Sequence, residues 1–221
     1  TYEFGFHGIT GGEWLKSIYE TYGSSAMAYR FAVDHNIFYP SKLNNGHQQD
    51  LREIKNIFFY ARPSTERRCY ELGVAALKLI ADKYPETNIL VAGLDNIGSL
   101  PFKAEKLGNL PIHKTADLYR SCDLGIALSG SNLSYLPLEL MACGCPVISN
   151  KGPQVEWFLK HMQNSYLVPP VPSAFLQAFE ELNANPELRR GLVERGIQEV
   201  SENSWEKQCL NILQYVSAIT R

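Results

Sequence analysis

The chain has 221 residues, of which 45% are hydrophobic and 20% charged, with a formal net charge of −2. This balance fits a soluble globular protein with a substantial core and excludes the basic stripe of a nucleic-acid-binding surface. No apolar run approaches the roughly 20 residues that span a bilayer. No signal-peptide pattern opens the chain, and it lacks an initiating Met, so it reads as an internal piece of a longer protein. The five cysteines, Cys69, Cys122, Cys143, Cys145 and Cys209, are scattered. The Cys143-x-Cys145 pair has no second pair or His cluster to complete a metal site, so they read as small buried residues in a reducing cytosol.

In chain order, Thr10-Gly11-Gly12-Glu13 reads as a capping box opening a helix to about Tyr22, and Ala26 to Val33 suits a strand. Residues 34–53 are polar, aperiodic and contain Pro40, Asn44-Asn45-Gly46, His35 and His47, the best candidate for a linker between domains. A regular alternation follows. Strands are predicted at Asn56–Tyr60, Asn88–Ala92, Leu107–Leu110, Leu124–Leu128, Pro146–Ser149 and Ser165–Val168. Helices are predicted between them at Arg67–Lys83, Thr115–Ser121, Leu138–Ala142 and Pro153–His161. Three more close the chain at Pro172–Asn183, Pro186–Glu202 and Ser204–Ile219, with Pro186 near a helix start and Ser204 a natural N-cap. Short apolar strands alternating with helices imply an α/β fold: a Rossmann-like parallel sheet with helices on both faces and a helical C-terminal tail.

Ligands bind such sheets beyond the strands' C-terminal ends, which singles out three loops. Ala61 to Arg68 carries Arg62, Arg67 and Arg68, whose guanidinium forks suit phosphate oxygens; its other reading is a solvated helix start that Ser64 or Thr65 could cap. Asp95 and Asn96, after Gly93, show no spacing that demands a ligand and read as a surface loop. Ser129 to Ser134 is a polar loop directly before a helix that contains one carboxylate, Glu139, among Leu138, Leu140 and Met141. Unpaired N–H groups at such a helix start suit a phosphate, and a carboxylate one turn in can accept from sugar hydroxyls. The loop could equally satisfy its own backbone, and Glu139 could pair with a base. The chain has no G-x-G-x-x-G after its first α/β strand, no Walker A loop and no D-x-D pair. A diphosphate would then be neutralised by arginines and helix dipoles, without a metal or other cofactor.

In order, Tyr60–Arg68 (YARPSTERR), the strand ending in Gly93, Leu107-Gly108-Asn109-Leu110, Asp123–Ser129 (DLGIALS), Pro137–Ile148 (PLELMACGCPVI) and the Ser204-Trp205 helix start resemble the C-terminal domain of family 4 glycosyltransferases. These are retaining enzymes of GT-B architecture, with two facing Rossmann-like domains. The resemblance spans roughly Lys55 to Ile219, and YARPSTERR with SNLSYLPLELMACG looks most like the bacterial rhamnosyltransferase branch. It implies that Glu139 binds the ribose hydroxyls of a nucleotide-diphospho-sugar and that Arg62, with Arg67 or Arg68, holds its diphosphate. It places Tyr135 and Leu136 at the phosphates, Ser131 and Asn132 in the loop facing the donor, and Gly108-Asn109-Leu110 as the base-binding turn. One departure stands out. The family's first glutamate, eight residues before the second, is Ser131 here, and a hydroxyl cannot stabilise a developing positive charge. The catalytic residue is thus unassigned and donor handling altered.

The resemblance further implies a dTDP- or UDP-linked donor, L-rhamnose as the sugar, a glycan or lipid-linked acceptor held by an N-terminal domain, and a role in polysaccharide biosynthesis. Residues 1–53 would then close the N-terminal domain and linker, and 54–221 form the donor domain, cytoplasmic or peripheral at the inner face of a bacterial membrane. Two alternatives stay open at this level. One is a non-catalytic sugar-nucleotide module beside a partner chain. The other is a GT-B-type sugar-nucleotide epimerase, for which His113 is the only central histidine.

Overall fold

The computed structural model describes residues 4–41 and 53–220. The polar stretch 42–52, most of the expected linker, lies outside the described residues. Two sheets form. Strands β1 (Gly8–Gly11) and β2 (Ala26–Tyr29) pair in parallel, joined by helix α1 (Glu13–Thr21). The larger sheet has six strands: β3 (Asn56–Tyr60), β4 (Asn88–Ala92), β5 (Glu105–Gly108), β6 (Leu124–Ile126), β7 (Val147–Asn150) and β8 (Tyr166–Val168). All its pairings are parallel, in the order β5-β4-β3-β6-β7-β8. The remaining helices are α2 (Tyr70–Lys83), α3 (Ile112–Ser121), α4 (Leu136–Ala142), α5 (Pro153–Glu156), α6 (Pro172–Ala184), α7 (Pro186–Ser201) and α8 (Trp205–Ile219), the last packed against β2 of the smaller sheet.

The period of two along a strand sends alternate residues to opposite faces. Phe58 joins the core with Ala116 and Tyr119 of α3 and Leu138 of α4. Ile57 and Phe59 join the other core, with Ala76, Leu77 and Ile80 of α2 and Phe175 and Phe179 of α6. Both faces of the sheet are therefore covered at its centre, which explains why β3, β4 and β6 read as near-continuous apolar runs. The edge strand β5, Glu105-Lys106-Leu107-Gly108, is exposed at its start and falls two residues before the expected Leu107–Leu110. Each large side chain buried this way contributes about 1.5–3 kcal/mol. The tail behaves as its caps predict. Asn185 Oδ1 accepts from Leu188 N (3.0 Å) ahead of Pro186, and Ser204 Oγ accepts from Lys207 N (3.2 Å).

Several expected boundaries move, each for a local reason. Thr10 caps no helix: it lies in β1, where its hydroxyl donates to Met27 O (3.2 Å), and Gly12 at φ 98° makes the strand-to-helix turn. The strand from Ala26 stops at Tyr29 because side chains take over the next backbone groups: Arg30 N donates to Gln208 Oε1 (2.9 Å), and Phe31 O accepts from Asn203 Nδ2 (3.1 Å). Helix α2 begins at Tyr70, behind a 3-10 turn at Glu66–Arg68 and a left-handed Cys69, with no cap from Ser64 or Thr65. Helix α5 ends at Glu156, well short of His161, where the Asn164 side chain captures Lys160 N (2.7 Å) and Phe158 O (3.1 Å).

Candidate functional site

Strand β3 is the first strand of the large sheet, with β4 and β5 built outward on one side and β6, β7 and β8 on the other. The chain therefore reverses direction between β3 and β6, and the loops leaving these two strands diverge to opposite faces, opening a crevice at the sheet's carboxyl edge. Those are the loop at 61–69, with three arginines, and the loop at 127–135, with the serines.

The two loops are bonded into one unit. Gly130 N donates to Arg67 O (2.7 Å), and Arg68 Nη1 donates to Ser129 Oγ (3.1 Å) and Asn132 O (3.4 Å). Ser129 is pinned in turn by the buried Asn150 of β7, whose Oδ1 accepts from Ser129 N (2.9 Å) and whose Nδ2 donates to Ser129 O (2.9 Å). Above them lies a cleft of about 480 Å³. Arg62, Arg68, Asn109, Leu110, Tyr135, Leu136 and Glu139 all line it, so residues 77 positions apart in sequence (139 − 62) share one cavity. Three expected residues are not on its wall. Arg67 contributes its carbonyl to the loop junction, the Ser131 carbonyl accepts from Ser129 Oγ (2.9 Å), and Asn132 Nδ2 donates to Gly11 O (2.6 Å) of β1.

The electrostatics are those of an anion site beside a desolvated carboxylate. Burial lowers Arg68 to about 10, with repulsion from Arg67 and Arg62 adding to it; no carboxylate offsets them. It remains fully protonated at neutral pH, a cation whose unmet demand is for an anion. Arg62 stacks its guanidinium 4.9 Å from the centre of the Tyr60 ring, which holds the fork in place. Burial raises the Glu139 carboxyl to about 6, against the opposing pull of a Tyr119 hydrogen bond and the Arg62 charge. The Tyr119 hydroxyl is 3.5 Å from Glu139 Oε2, and burial pushes its own titration far up, so it acts as a permanent donor.

Ser134 of the expected loop also lines the cleft, as do Tyr60, Tyr119, Phe38, Ile112 and Thr115, the last four of which the sequence pattern does not single out. Only helix phase could have signalled Tyr119 and Thr115: at i and i+4 on α3 they share one face. His113 is exposed on that helix. Among the described residues no group of three or more His, Cys, Asp or Glu is placed to hold a metal ion.

Residues 55–180 match the family described as WsaF, C-terminal domain. The chain belongs to this family. It is a C-terminal domain of GT-B glycosyltransferase type. It is 35% identical over 214 residues to the O-antigen biosynthesis protein RfbC of Myxococcus xanthus, a match covering 94% of this chain and 16% of that protein. It is 24% identical over 212 residues to a phosphatidyl-myo-inositol mannosyltransferase of Mycolicibacterium smegmatis, over 91% of this chain and 54% of that one. The chain thus spans about a sixth and about half of these two curated relatives.

Among solved structures, sucrose-phosphate synthase from Thermosynechococcus elongatus superposes with a TM-score of 0.78 at 18% identity, over 97% of this chain and 58% of that one. Anabaena HepE in complex with UDP and glucose superposes with a TM-score of 0.76 at 14% identity, over 95% and 62%. At these identities the likeness establishes the fold.

Proposed function

We propose that the cleft binds a nucleotide-diphospho-sugar, and that the chain is the donor-binding part of a retaining glycosyltransferase. The observation that carries this is the placement of Arg62 and Arg68 with Glu139 around one cavity at the sheet's switch point. The arginines receive the diphosphate as charge-assisted, bidentate partners. Glu139, ionised at neutral pH with Tyr119 beside it, accepts from a ribose hydroxyl. The Gly108–Leu110 turn borders the same cleft through Asn109 and Leu110 and takes the base.

In the transfer, the bond from the sugar's anomeric carbon to the diphosphate oxygen breaks, and the leaving diphosphate carries the electron pair. An acceptor hydroxyl oxygen forms the new bond to that carbon while its proton passes to the leaving diphosphate. Arg62 and Arg68 stabilise that growing negative charge in a partly desolvated site, where fixed cations act most strongly. Arg67 adds positive potential without touching the cleft wall, consistent with its effect on Arg68. Ser131 and Asn132 shape the loop and stand where it meets the first sheet.

The relatives' names, O-antigen biosynthesis and phosphatidyl-inositol mannosyl transfer, support a glycan or lipid-linked acceptor. Residues 1–53 belong in this reading to a preceding domain that holds the acceptor; the separate β1–β2 sheet supports that division. The likeness of YARPSTERR and SNLSYLPLELMACG to rhamnosyltransferases favours dTDP-L-rhamnose as donor, while the UDP complex of HepE supports UDP as the alternative. No described helix is long and apolar enough to cross a membrane, and all five cysteines are unbridged, which supports action in the cytoplasm or at the inner face of a bacterial membrane. A thermal-shift panel of dTDP-, UDP- and GDP-sugars tests the reading, since a ligand raises apparent stability with its affinity. One sugar nucleotide is expected to raise the midpoint clearly above the others; a flat panel contradicts donor binding.

A further inference from the structure

Asp95 lies in the loop between β4 and β5, a segment without an obvious ligand pattern. Its carboxylate is nevertheless fully committed. Oδ1 accepts from Asn109 N (2.7 Å), and Oδ2 accepts from Asn109 Nδ2 (2.8 Å), a two-point grip on the residue that lines the far end of the cleft. The grip also explains Gly108. That residue sits at φ 64°, and a Cβ there would stand 2.8 Å from Asp95 Oδ1, so any side chain would push the carboxylate out of the turn.

The turn needs such a tie because of where it lies. β5 is an edge strand, paired only to β4, with a register shift at Val91/Ala92. Backbone bonds from the sheet reach the turn from one side, as in Gly93 N to Gly108 O (2.9 Å). A second tie, Lys106 Nζ to Gly98 O (2.7 Å) and Ile97 O (3.2 Å), fastens the same loop to the middle of β5. The loop at 94–98 is thus a brace clamped to β5 and to the turn that follows it. Both Asn109 donors, main chain and side chain, are turned toward Asp95. With Gly108 O taken by Gly93 N and Leu110 O facing the Thr115 hydroxyl (3.5 Å), what the turn leaves for a ligand is the Asn109 carbonyl and the Leu110 side of the backbone.

We propose that Asp95 is the positioning residue for the nucleobase: it holds the Gly108–Leu110 turn in the conformation that distinguishes one base from another, without touching the ligand. This rests on the reading of the cleft as a sugar-nucleotide site. It separates the recognition of the base, set by the Asp95–Asn109 grip, from the recognition of the diphosphate, set by Arg62 and Arg68 at the other end.

The test is calorimetric titration of the 221-residue chain with UDP, dTDP, GDP and inorganic pyrophosphate, for the wild type and for Asp95→Ala, Asp95→Asn and Asn109→Ala. Asp95 is exposed, so its variants are expected to fold, which circular dichroism checks. The wild type prefers one nucleoside diphosphate to the others and to pyrophosphate. In Asp95→Ala that preference falls by roughly tenfold, the worth of charge-assisted bonds lost, while pyrophosphate affinity is unchanged. Asn109→Ala, which keeps the main-chain leg, falls less. Asp95→Asn restores most of the preference, because Asn109 can flip its amide and keep both legs. Retention of base preference in Asp95→Ala overturns the proposal, as does an equal loss of pyrophosphate affinity, which marks a merely structural role. A wild type that binds pyrophosphate but no nucleoside diphosphate more tightly overturns the sugar-nucleotide reading itself, and the proposal with it.

Discussion

Asn132 Nδ2 donates to the backbone carbonyl of Gly11 at 2.6 Å, joining the loop of the candidate site to the strand of the smaller sheet. The other end of the same amide, Oδ1, is buried without a partner. One side chain therefore holds a useful bond and an orphaned acceptor together, at the point where the two sheets meet.

Asn132→Ala removes both, so their effects oppose: about 0.5–1.5 kcal/mol lost with the bond, against the relief of a buried acceptor of similar size. Urea unfolding is expected to show a net change within about 1 kcal/mol. Asn132→Asp is the harsher change, because a carboxylate cannot donate to Gly11 O and its charge is desolvated; a loss of roughly 2 kcal/mol or more is expected. Asn132→Asp as stable as Asn132→Ala contradicts this placement.

Glu139 gives the protein a pH signature. Its folded titration, raised to about 6 by burial, lies above its ordinary value of 4.5. Between these values the folded state binds more protons than the unfolded one, so stability falls as pH rises through that window. The penalty is absent below about pH 4.5 and complete above about pH 6. Glu139→Gln removes it and is expected to raise stability at pH 7.5 by about 1–2 kcal/mol, with the gain vanishing toward pH 4.5. Chemical denaturation at both pH values measures this; a pH-independent difference contradicts it.

Ser149 on β7 is fully buried, and its hydroxyl has no hydrogen-bond partner. Replacing it with Ala removes an unsatisfied group and leaves the packing nearly intact. Ser149→Ala is expected to be neutral or stabilising by up to about 1 kcal/mol. A loss above about 1 kcal/mol in a thermal or urea melt would show that the hydroxyl has a partner.

Gly73 lets α2 approach β3 closely, for a Cβ there would stand 2.3 Å from Phe59 Cζ and 2.4 Å from Cε2. Helix propensity favours Ala by about 0.5–1 kcal/mol, but Phe59 is 3% exposed and cannot yield. Overpacking wins, and Gly73→Ala is expected to destabilise by about 1–3 kcal/mol. Because α2 carries the arginine loop at its start, nucleotide affinity falls with it. A stabilised variant in calorimetry would show that the helix shifts freely.

The inner strands of the large sheet were legible because they are buried on both faces, and the closing helices because they carry caps such as Asn185 and Ser204; the exposed edge strand β5 reads two residues late. Strand β1 was not legible: Gly8-Ile9-Thr10-Gly11 is short, half glycine, and continues into a T-G-G-E pattern that mimics a capping box. The arginines and Glu139 stood out as charge within apolar or strand-ending context. Tyr119 and Phe38 did not, since their place in the cleft comes from helix phase and from ring packing between distant segments, 6.2 Å centroid to centroid. Asp95 was unreadable for the same reason. Its meaning lies in a partner 14 residues away, across an edge strand whose register is irregular.

The central claim, that Arg62, Arg68 and Glu139 form one nucleotide-diphosphate site, is tested most directly by calorimetric titration of the preferred nucleoside diphosphate into the wild type and the three Ala variants. Each charge-assisted contact is worth about 1.5–3 kcal/mol, so each variant is expected to lose roughly 10- to 150-fold in affinity. Unchanged affinity in all three, with the fold intact, would contradict the site.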